Sequence, residues 1–596
     1  MEIRERLRAL RDQMRAHEVD AYVIPTSDPH QSEYPPDRWK SREWISGFSG
    51  SAGTVVVTSD KAGLWTDSRY FLAAERMLSG TSIQLHRLEE PGVADYPGWL
   101  AAELVSGQTV GFDGTCMSLS AARKLETELG PGGIRTRAIG DLVDLIWTGR
   151  PGLPAKPVTS YDSRYAGASR GERLSVIRGR MQVTGATHHL ISTLADIAWL
   201  LNLRGADVDY NPVMVAHLIL DTEKARLFVA SGQIEPELVT ELESDGVVVE
   251  PYDRVIEAVA AIPEGSTVLL SPSQVSVAFT DALRVGVKAV QQTNLTTVAK
   301  ARKNAVEIDH IRNAMVRDGV AMVRFLHWLS ESIGDTTVTE LSAERRLAEL
   351  RAEGEHFVSE SFRAISAYRG HGASPHYAAS PESDTPLQAA GLYLIDSGAH
   401  YLDGTTDITR TVSLGNPVEQ ERTDFTLVLK GHVGLATLHF PVGTTGEAID
   451  AIAREHLWRE DANYGHGTGH GVGFFLNVHE GPQRISRHPT GVVLEPGMLI
   501  SNEPGLYRNE RYGIRIENLV LVREGPRSEF GEFLTFETVT LCPIDRNLIN
   551  VDMLTPRERE WIDAYHRRVR DRLLGSLAGR ERDWLEQACE PLWGPG

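Results

Sequence analysis

Acids that close apolar runs set the strongest limit on how this chain can fold. Asp396 follows Leu392-Tyr393-Leu394-Ile395, and Asp407 lies inside the β-branched run Thr405–Thr411. Further along, Glu503 comes after Met498-Leu499-Ile500, and Glu517 ends Ile514-Arg515-Ile516. Runs of this kind bury, and an ionised carboxylate in a dry interior is costly unless a cation joins it. A chain reversal near Tyr401–Leu402, midway between Asp396 and Asp407, sets those two acids directly opposite each other. Opposed residues share one face of a sheet at roughly 5 Å. The bland alternative is two surface acids beside a hairpin turn. The unbroken apolar flank Tyr393–Ile395 argues against it, because surface strands alternate. The polar loop Arg508-Asn509-Glu510-Arg511 offers a second reversal that brings Glu503 to Glu517. Arg410 and Arg515 stand beside these acids and can orient them. Glu537, in Phe536-Glu537-Thr538, looks similar but lacks a partner and reads as structural.

Between the two pairs lies Gly465-His466-Gly467-Thr468-Gly469-His470-Gly471-Val472-Gly473, with glycine at every odd position. In an extended chain one face is then bare backbone, and the other presents His466, Thr468, His470 and Val472. Bare backbone admits close approach of another element or a substrate. A phosphate cradle is excluded, since no G-x-G-x-x-G spacing is present and no Lys-Ser/Thr follows. Four carboxylates and one imidazole converging on one cleft carry too much charge for a core without cations. Two divalent ions roughly 3.5–4 Å apart, bridged by carboxylates and sharing a hydroxide, resolve it. An oxygen-rich donor set with one nitrogen favours a hard ion, so manganese comes first, with cobalt, zinc and iron(II) open by ligand type.

At 596 residues the chain exceeds what one core can hold. Three blocks separate. The first, 1–155, opens on an amphipathic helix (Ile3, Leu7, Leu10, Met14) and a buried strand Ala21–Pro25. Its strands Thr54–Thr58 and Leu64–Thr66 flank a turn, and Gly149-Arg150-Pro151-Gly152-Leu153-Pro154 closes it as a linker. The second, 156–300, repeats the order of elements with few identical residues. Either two copies of one α/β unit or a shared generic pattern explains that. The third, 301–596, opens on a long helix carrying Ile308, Ile311, Met315 and Val316 and holds nearly all the reactive residues. It ends in a helix announced by Thr555-Pro556-Arg557-Glu558, a capping box with proline at its first turn, expected to serve packing or an interface without chemistry. The net charge of −20 disfavours nucleic acid and anionic membranes as partners. Cys116, Cys542 and Cys589 are too few and too far apart for a disulfide framework or a zinc-thiolate site. The charged N-terminus lacks a secretory h-region, and no stretch approaches the roughly 20 apolar residues of a membrane span, so a cytoplasmic location is expected.

Taken together, these segments resemble the metallopeptidase family that contains methionine aminopeptidase, prolidase and aminopeptidase P, whose catalytic domain has the pita-bread fold. The ordered set Asp396, Asp407, His470, Glu503, Glu517 is similar to the family's five metal ligands in order and context. Phe48-Ser49-Gly50-Ser51-Ala52-Gly53-Thr54, Trp65-Thr66-Asp67-Ser68-Arg69-Tyr70-Phe71 and Ala198-Trp199-Leu200-Leu201-Asn202-Leu203-Arg204-Gly205 resemble the long, three-domain aminopeptidase P branch. The resemblance implies a mixed α/β chain with two creatinase-like N-terminal domains before a pita-bread catalytic domain with a helical tail. It implies that Asp407 and Glu517 bridge two metals, that Asp396 serves one, and that His470 and Glu503 serve the other, with Glu503 as general base. It also implies that His376, His466 and His479 line the substrate site and that Arg69 binds the peptide. The activity it implies is hydrolysis of the N-terminal Xaa-Pro bond of peptides by a metal-bridging hydroxide, in a homodimer. A prolidase restricted to Xaa-Pro dipeptides, and a non-catalytic relative that binds peptides or proteins, are the alternatives.

Overall fold

The computed structural model describes residues 1–334 and 337–592. The chain divides into two compact units, one formed by Met1–Ser163 and Ala168–Val298, the other by Arg164–Gly167 and Ala299–Gly596.

The first unit contains two six-stranded sheets. One is built from Ala21–Pro25, Thr54–Thr58, Ala62–Thr66, Gln84–Arg87, Thr109–Asp113 and Arg135–Ile139, and across the sheet these run 4-3-2-1-5-6. The other is built from His188–Ile191, Ala216–Asp221, Ala225–Val229, Val247–Pro251, Thr267–Leu270 and Lys288–Gln291, in the same order. In both, strands 1 to 3 are antiparallel and the outer three pair in parallel. The shared order of elements in the sequence is therefore a shared topology. Thr54–Thr58 shows why such a strand forms: three valines suit the pleat, and both faces bury. Val55 and Val57 pack with Leu7, Leu10 and Met14 of the helix Ile3–Ala16, while Val56 packs with Trp65, Val110 and Phe112.

A polar cluster lies buried in this unit. The rings of His30 and His217 stack at 4.2 Å. His30 meets the Ser192 carbonyl through Nδ1 at 2.9 Å and the Tyr252 hydroxyl through Nε2 at 2.9 Å. His217 meets the Ser192 hydroxyl at 3.0 Å and the same tyrosine at 3.2 Å. All four ring nitrogens are satisfied within the protein. Burial pushes the pKa of both imidazoles down.

The second unit opens on the helix Ala305–Ser332, capped by Asn304 and Glu307 and buried along Ile311, Met315, Met322 and Phe325. Two short sheets follow. One joins Ile365–Tyr368, Leu392–Ser397 and Ile408–Ser413, and the other joins Phe357–Glu360, Ala399–Tyr401 and Gly404–Thr405. A six-stranded sheet runs His439–Pro441, Gly531–Thr538, Asn518–Ser528, Leu499–Asn502, Gly469–Gly471, Glu480–Ile485. The hairpin Gly505–Arg508 with Tyr512–Arg515 stands apart from it. Its turn end is clamped by Asp424, which accepts from Arg508 and from the Tyr512 hydroxyl, each at 2.9 Å, while 509–511 are exposed at the tip. Helices Glu419–Ala436 and Pro556–Leu573 complete the core, the latter capped by Thr555 as the capping box predicts. Among the described residues the three cysteines are free and buried, and no helix is long and apolar enough to cross a membrane.

Candidate metal centre

Asp396 belongs to Leu392–Ser397, a strand with all six residues buried, as its apolar run predicts. The expected direct opposition to Asp407 is not what forms. His400 pairs with Thr405 and Tyr401 with Gly404, so the turn centres on Leu402-Asp403, one residue later than expected. A one-residue shift of a hairpin turn moves each partner by two, and Asp396 faces Thr409. Asp407, two residues before Thr409, becomes the diagonal neighbour on the same side, still within reach. The intervening Thr409 hydroxyl accepts from Arg515 Nε at 3.1 Å and donates to Glu517 Oε2 at 2.7 Å. Gly398 permits this tight return, since a Cβ there would meet the Thr406 carbonyl at 2.0 Å.

The second reversal is in register. Asn502 pairs with Asn518 and Gly505 with Arg515, so Glu503 and Glu517 flank the gap between two paired segments. Their amides reach outward, Glu503 N–H to the Thr468 carbonyl at 2.8 Å and Glu517 N–H to the Thr409 carbonyl at 3.1 Å.

The glycine-rich segment is not extended from 465 to 473. Only Gly469–Gly471 is a strand, and the chain bends at 465, 466 and 468. Buried Arg454 explains the bend. It lies 3.8 Å over the Tyr464 ring and donates to the carbonyls of Tyr464 at 2.7 Å and His466 at 2.8 Å. Its partner Asp450 takes the Thr468 hydroxyl at 2.6 Å. His470 and His466 are therefore held separately. His470 Nδ1 is 2.9 Å from the Gly471 carbonyl, which only accepts, so the proton sits there and Nε2 is the basic nitrogen. That nitrogen lies 3.5 Å from Asp407 Oδ2 and 3.4 Å from Glu503 Oε1. Asp407, His470 and Glu517 each bring a ligand atom within 4.8 Å of one another.

Arg515 donates to Asp396 Oδ2 and, at 2.7 Å, to the Tyr507 hydroxyl, which bonds His466 Nε2 at 2.8 Å. Arg410 grips backbone instead, donating to the carbonyls of Glu517 at 2.6 Å and Thr409 at 2.9 Å. The Tyr565 hydroxyl meets Arg410 at 3.0 Å, so the C-terminal helix, expected to serve packing or an interface, packs behind the site and braces it. The His479 ring lies edge-on to His470 at 4.4 Å. His376 follows the short turn Arg369–Ala373, half-buried, beside a Tyr377 anchored on Glu340 at 3.0 Å. Arg69, in the first unit, is held bidentately by Asp67 at 2.8 Å on both oxygens. Glu537, read as partnerless, is paired with Arg312 at 2.9 Å and with Arg523.

The electrostatics test whether cations fit. Burial, then mutual repulsion among the acids, pushes Asp407 and Glu517 well above the carboxylate range. Burial also lifts Glu503, to about 7, with Arg515 pulling the other way and Asp396 repelling. Asp396 Oδ1 and Glu517 Oε1 are buried without a hydrogen-bond partner. Protein interiors satisfy such atoms or reserve them. Carboxylates that must otherwise keep protons, two unpartnered oxygens and one basic imidazole nitrogen fit a pair of divalent cations.

The comparisons with known proteins agree. Residues 309–524 match the model of metallopeptidase family M24, and 532–592 its C-terminal region. Residues 6–150 and 149–307 match two creatinase/prolidase N-terminal domain models. A Pyricularia oryzae protein named Probable Xaa-Pro aminopeptidase P is 39% identical over 98% of this chain and 99% of its own. The chain belongs to metallopeptidase family M24. Aminopeptidase P2 of Arabidopsis thaliana is 38% identical over 97% of this chain and 86% of its own length. The crystal structure of an X-prolyl aminopeptidase from Caenorhabditis elegans, described as a cytosolic enzyme with a di-nuclear active site, superposes with a TM-score of 0.96. It is 35% identical, over 99% of this chain and all of that one. Against this M24 frame the sequence reading missed Thr409, Tyr507 and the Asp450–Arg454 pair. Thr409 was findable as the true partner of Asp396, while the other three carry no local signal.

Proposed function

We propose that this chain is an Xaa-Pro aminopeptidase that removes the first residue of peptides whose second residue is proline. The observation that carries this is the gathering of Asp407, His470 and Glu517 within 4.8 Å, beside carboxylate oxygens that nothing in the protein satisfies, in a chain similar end to end to relatives of that name.

The residues divide the work as follows. Asp407 and Glu517 would be shared by two divalent ions, Asp396 would complete the set for one, and His470 with Glu503 the set for the other. Bound manganese, the first choice for this donor set, supplies positive charge that polarises the scissile carbonyl and acidifies water. Asp396 receives the free α-amine of the substrate. Glu503 takes the proton of the attacking water and passes it towards the leaving nitrogen. His376 or His479 donates to the carbonyl oxygen as charge grows on it. His466 acts through Tyr507 on the arginine that orients Asp396. Arg69 binds the peptide, a role resting on family likeness. Proline's nitrogen has no hydrogen, so the site need only offer an apolar seat there. We further assign the domains as 1–155, 156–300 and 301–596, a cytoplasmic location and a homodimer.

A peptide digest with and without chelator, followed by manganese, tests the reading. Cleavage of Xaa-Pro-Yaa should vanish on stripping and return on re-addition. Activity confined to the dipeptide Xaa-Pro would instead indicate a prolidase, and undiminished activity after stripping would refute both.

A further inference from the structure

Behind the carboxylates lies a buried imidazole that the ligand set does not use. His432, in the helix Glu419–Ala436, is fully buried. Its Nδ1 is 3.1 Å from the Asn502 carbonyl, and its Nε2 is 3.1 Å from Asn518 Nδ2. Its own carbonyl accepts from Asn502 Nδ2 at 2.9 Å. Asn502 and Asn518 are opposed rungs of one ladder, and each is the chain neighbour of a proposed ligand, Glu503 or Glu517.

The direction of every bond in this group is fixed. A carbonyl only accepts, so Nδ1 carries the proton. Arginine only donates, and Arg410 Nη2 lies 2.8 Å from Asn518 Oδ1. That oxygen is the acceptor, which turns Asn518 Nδ2 towards His432 as donor into Nε2. The imidazole is one neutral tautomer, and burial, reinforced by the charge of Arg410, pushes its pKa down to about 3.

The ligands need such a clamp. Glu503 and Glu517 stand where the ladder is thinned: Ile516 N–H reaches the Pro504 carbonyl across the gap at a long 3.3 Å, and Pro504 has no N–H to give in return. Their own amides are drawn apart, one to Thr468 and the other to Thr409. The last intact rung beneath them is Asn502–Asn518, and His432 spans it.

We propose that His432 is a positioning residue for the metal centre: by tying Asn502 to Asn518 it fixes the separation of Glu503 and Glu517, and with it the seat of the ion assigned to His470 and Glu503. This rests on the ligand set proposed above. Groups that orient metal ligands typically change metal affinity about 10- to 100-fold when removed.

The test measures bound manganese per subunit by mass spectrometry and the two dissociation constants by calorimetry, for full-length His432→Leu, His432→Gln and Glu517→Gln. His432→Leu should keep one ion and bind the other at least about tenfold more weakly, with kcat reduced and KM little changed. His432→Gln can still accept from Asn518 but cannot also reach the Asn502 carbonyl, so its loss should be smaller. Glu517→Gln should shed metal outright. If His432→Leu holds both ions as tightly as the native protein while Glu517→Gln sheds metal, the positioning role is wrong and the ligand set stands. If Glu517→Gln also keeps both ions, the ligand set itself falls. A lower melting temperature of metal-free His432→Leu with unchanged metal affinity would mark a merely structural residue and overturn the proposal. Should His432→Leu fail to fold, the same criteria apply to His432→Gln.

Discussion

Each unit of this molecule buries a cluster of titratable side chains, and the two clusters end in opposite states. In the first unit, His30, His217, Ser192 and Tyr252 use each other up, and every ring nitrogen has a partner of the right sense. In the second, Asp396, Asp407, Glu503 and Glu517 crowd together with two oxygens left over, and the acidities of Asp407, Glu503 and Glu517 are suppressed. Burial alone does not distinguish a site from a core. Buried carboxylates that repel one another and leave oxygens over do, because the positive charge they call for must come from outside the chain.

The sharpest way to break this contrast is to remove a ligand. Asp407→Asn or His470→Ala should lower kcat/KM on the order of 10³-fold or more, with an unchanged circular dichroism spectrum, since several kcal/mol of charge stabilisation is lost. Full activity in either variant defeats the assignment. Next in size comes the opposed pH response. In metal-stripped protein the folded state holds protons on Glu503 that the unfolded state has released above its ordinary pKa. Stability should therefore fall as pH rises through about 7, by on the order of 2 kcal/mol from Glu503 alone. Urea midpoints from pH 5 to 8, with and without manganese, measure it, and saturating metal should flatten the slope. The histidine cluster has the reverse sign. Its depressed pKa values mean the unfolded chain binds more protons, so its contribution is lost as pH falls below the ordinary histidine value of about 6.5. Tyr252→Phe leaves both imidazoles short of a partner and should cost roughly 1–3 kcal/mol in urea denaturation, with kcat per folded molecule unaltered. The smallest effect belongs to Glu537→Gln. It weakens partly exposed pairs with Arg312 and Arg523, so at most about 1 kcal/mol should be lost and metal content should not change.

Much of the second cluster was legible because its acids close apolar runs, a conflict any reader of the sequence can see. The order of elements in the first unit was legible too, through β-branched strands separated by polar turns. Register was harder. The Asp403-Gly404 pair, read as a two-residue loop, would set the turn one position beyond the observed Leu402-Asp403, and the midpoint between the two acids sets it one position before. The glycine row misled in another way. Its alternation suggested a long bare strand, whereas Gly469 answers one need, the approach of Ser501, whose carbonyl a Cβ would meet at 1.9 Å. Arg454 then bends the rest. Tyr507 and His432 gave no sign at all, because their meaning depends on partners reached only after the chain has folded, such as Asn502 and Asn518, 70 and 86 positions from His432.

The hairpin that follows Glu503 has a practical corollary. Asp424 grips it where the turn begins, at Arg508 and Tyr512, and the ligands are anchored beyond its other end, so the exposed side chains of 509–511 stand apart from the bonds that set the metal geometry. A fluorophore on one of those side chains reports from close in sequence to the catalytic residues, whereas a spliced insertion would disturb the Glu510 backbone, which packs against Gly370.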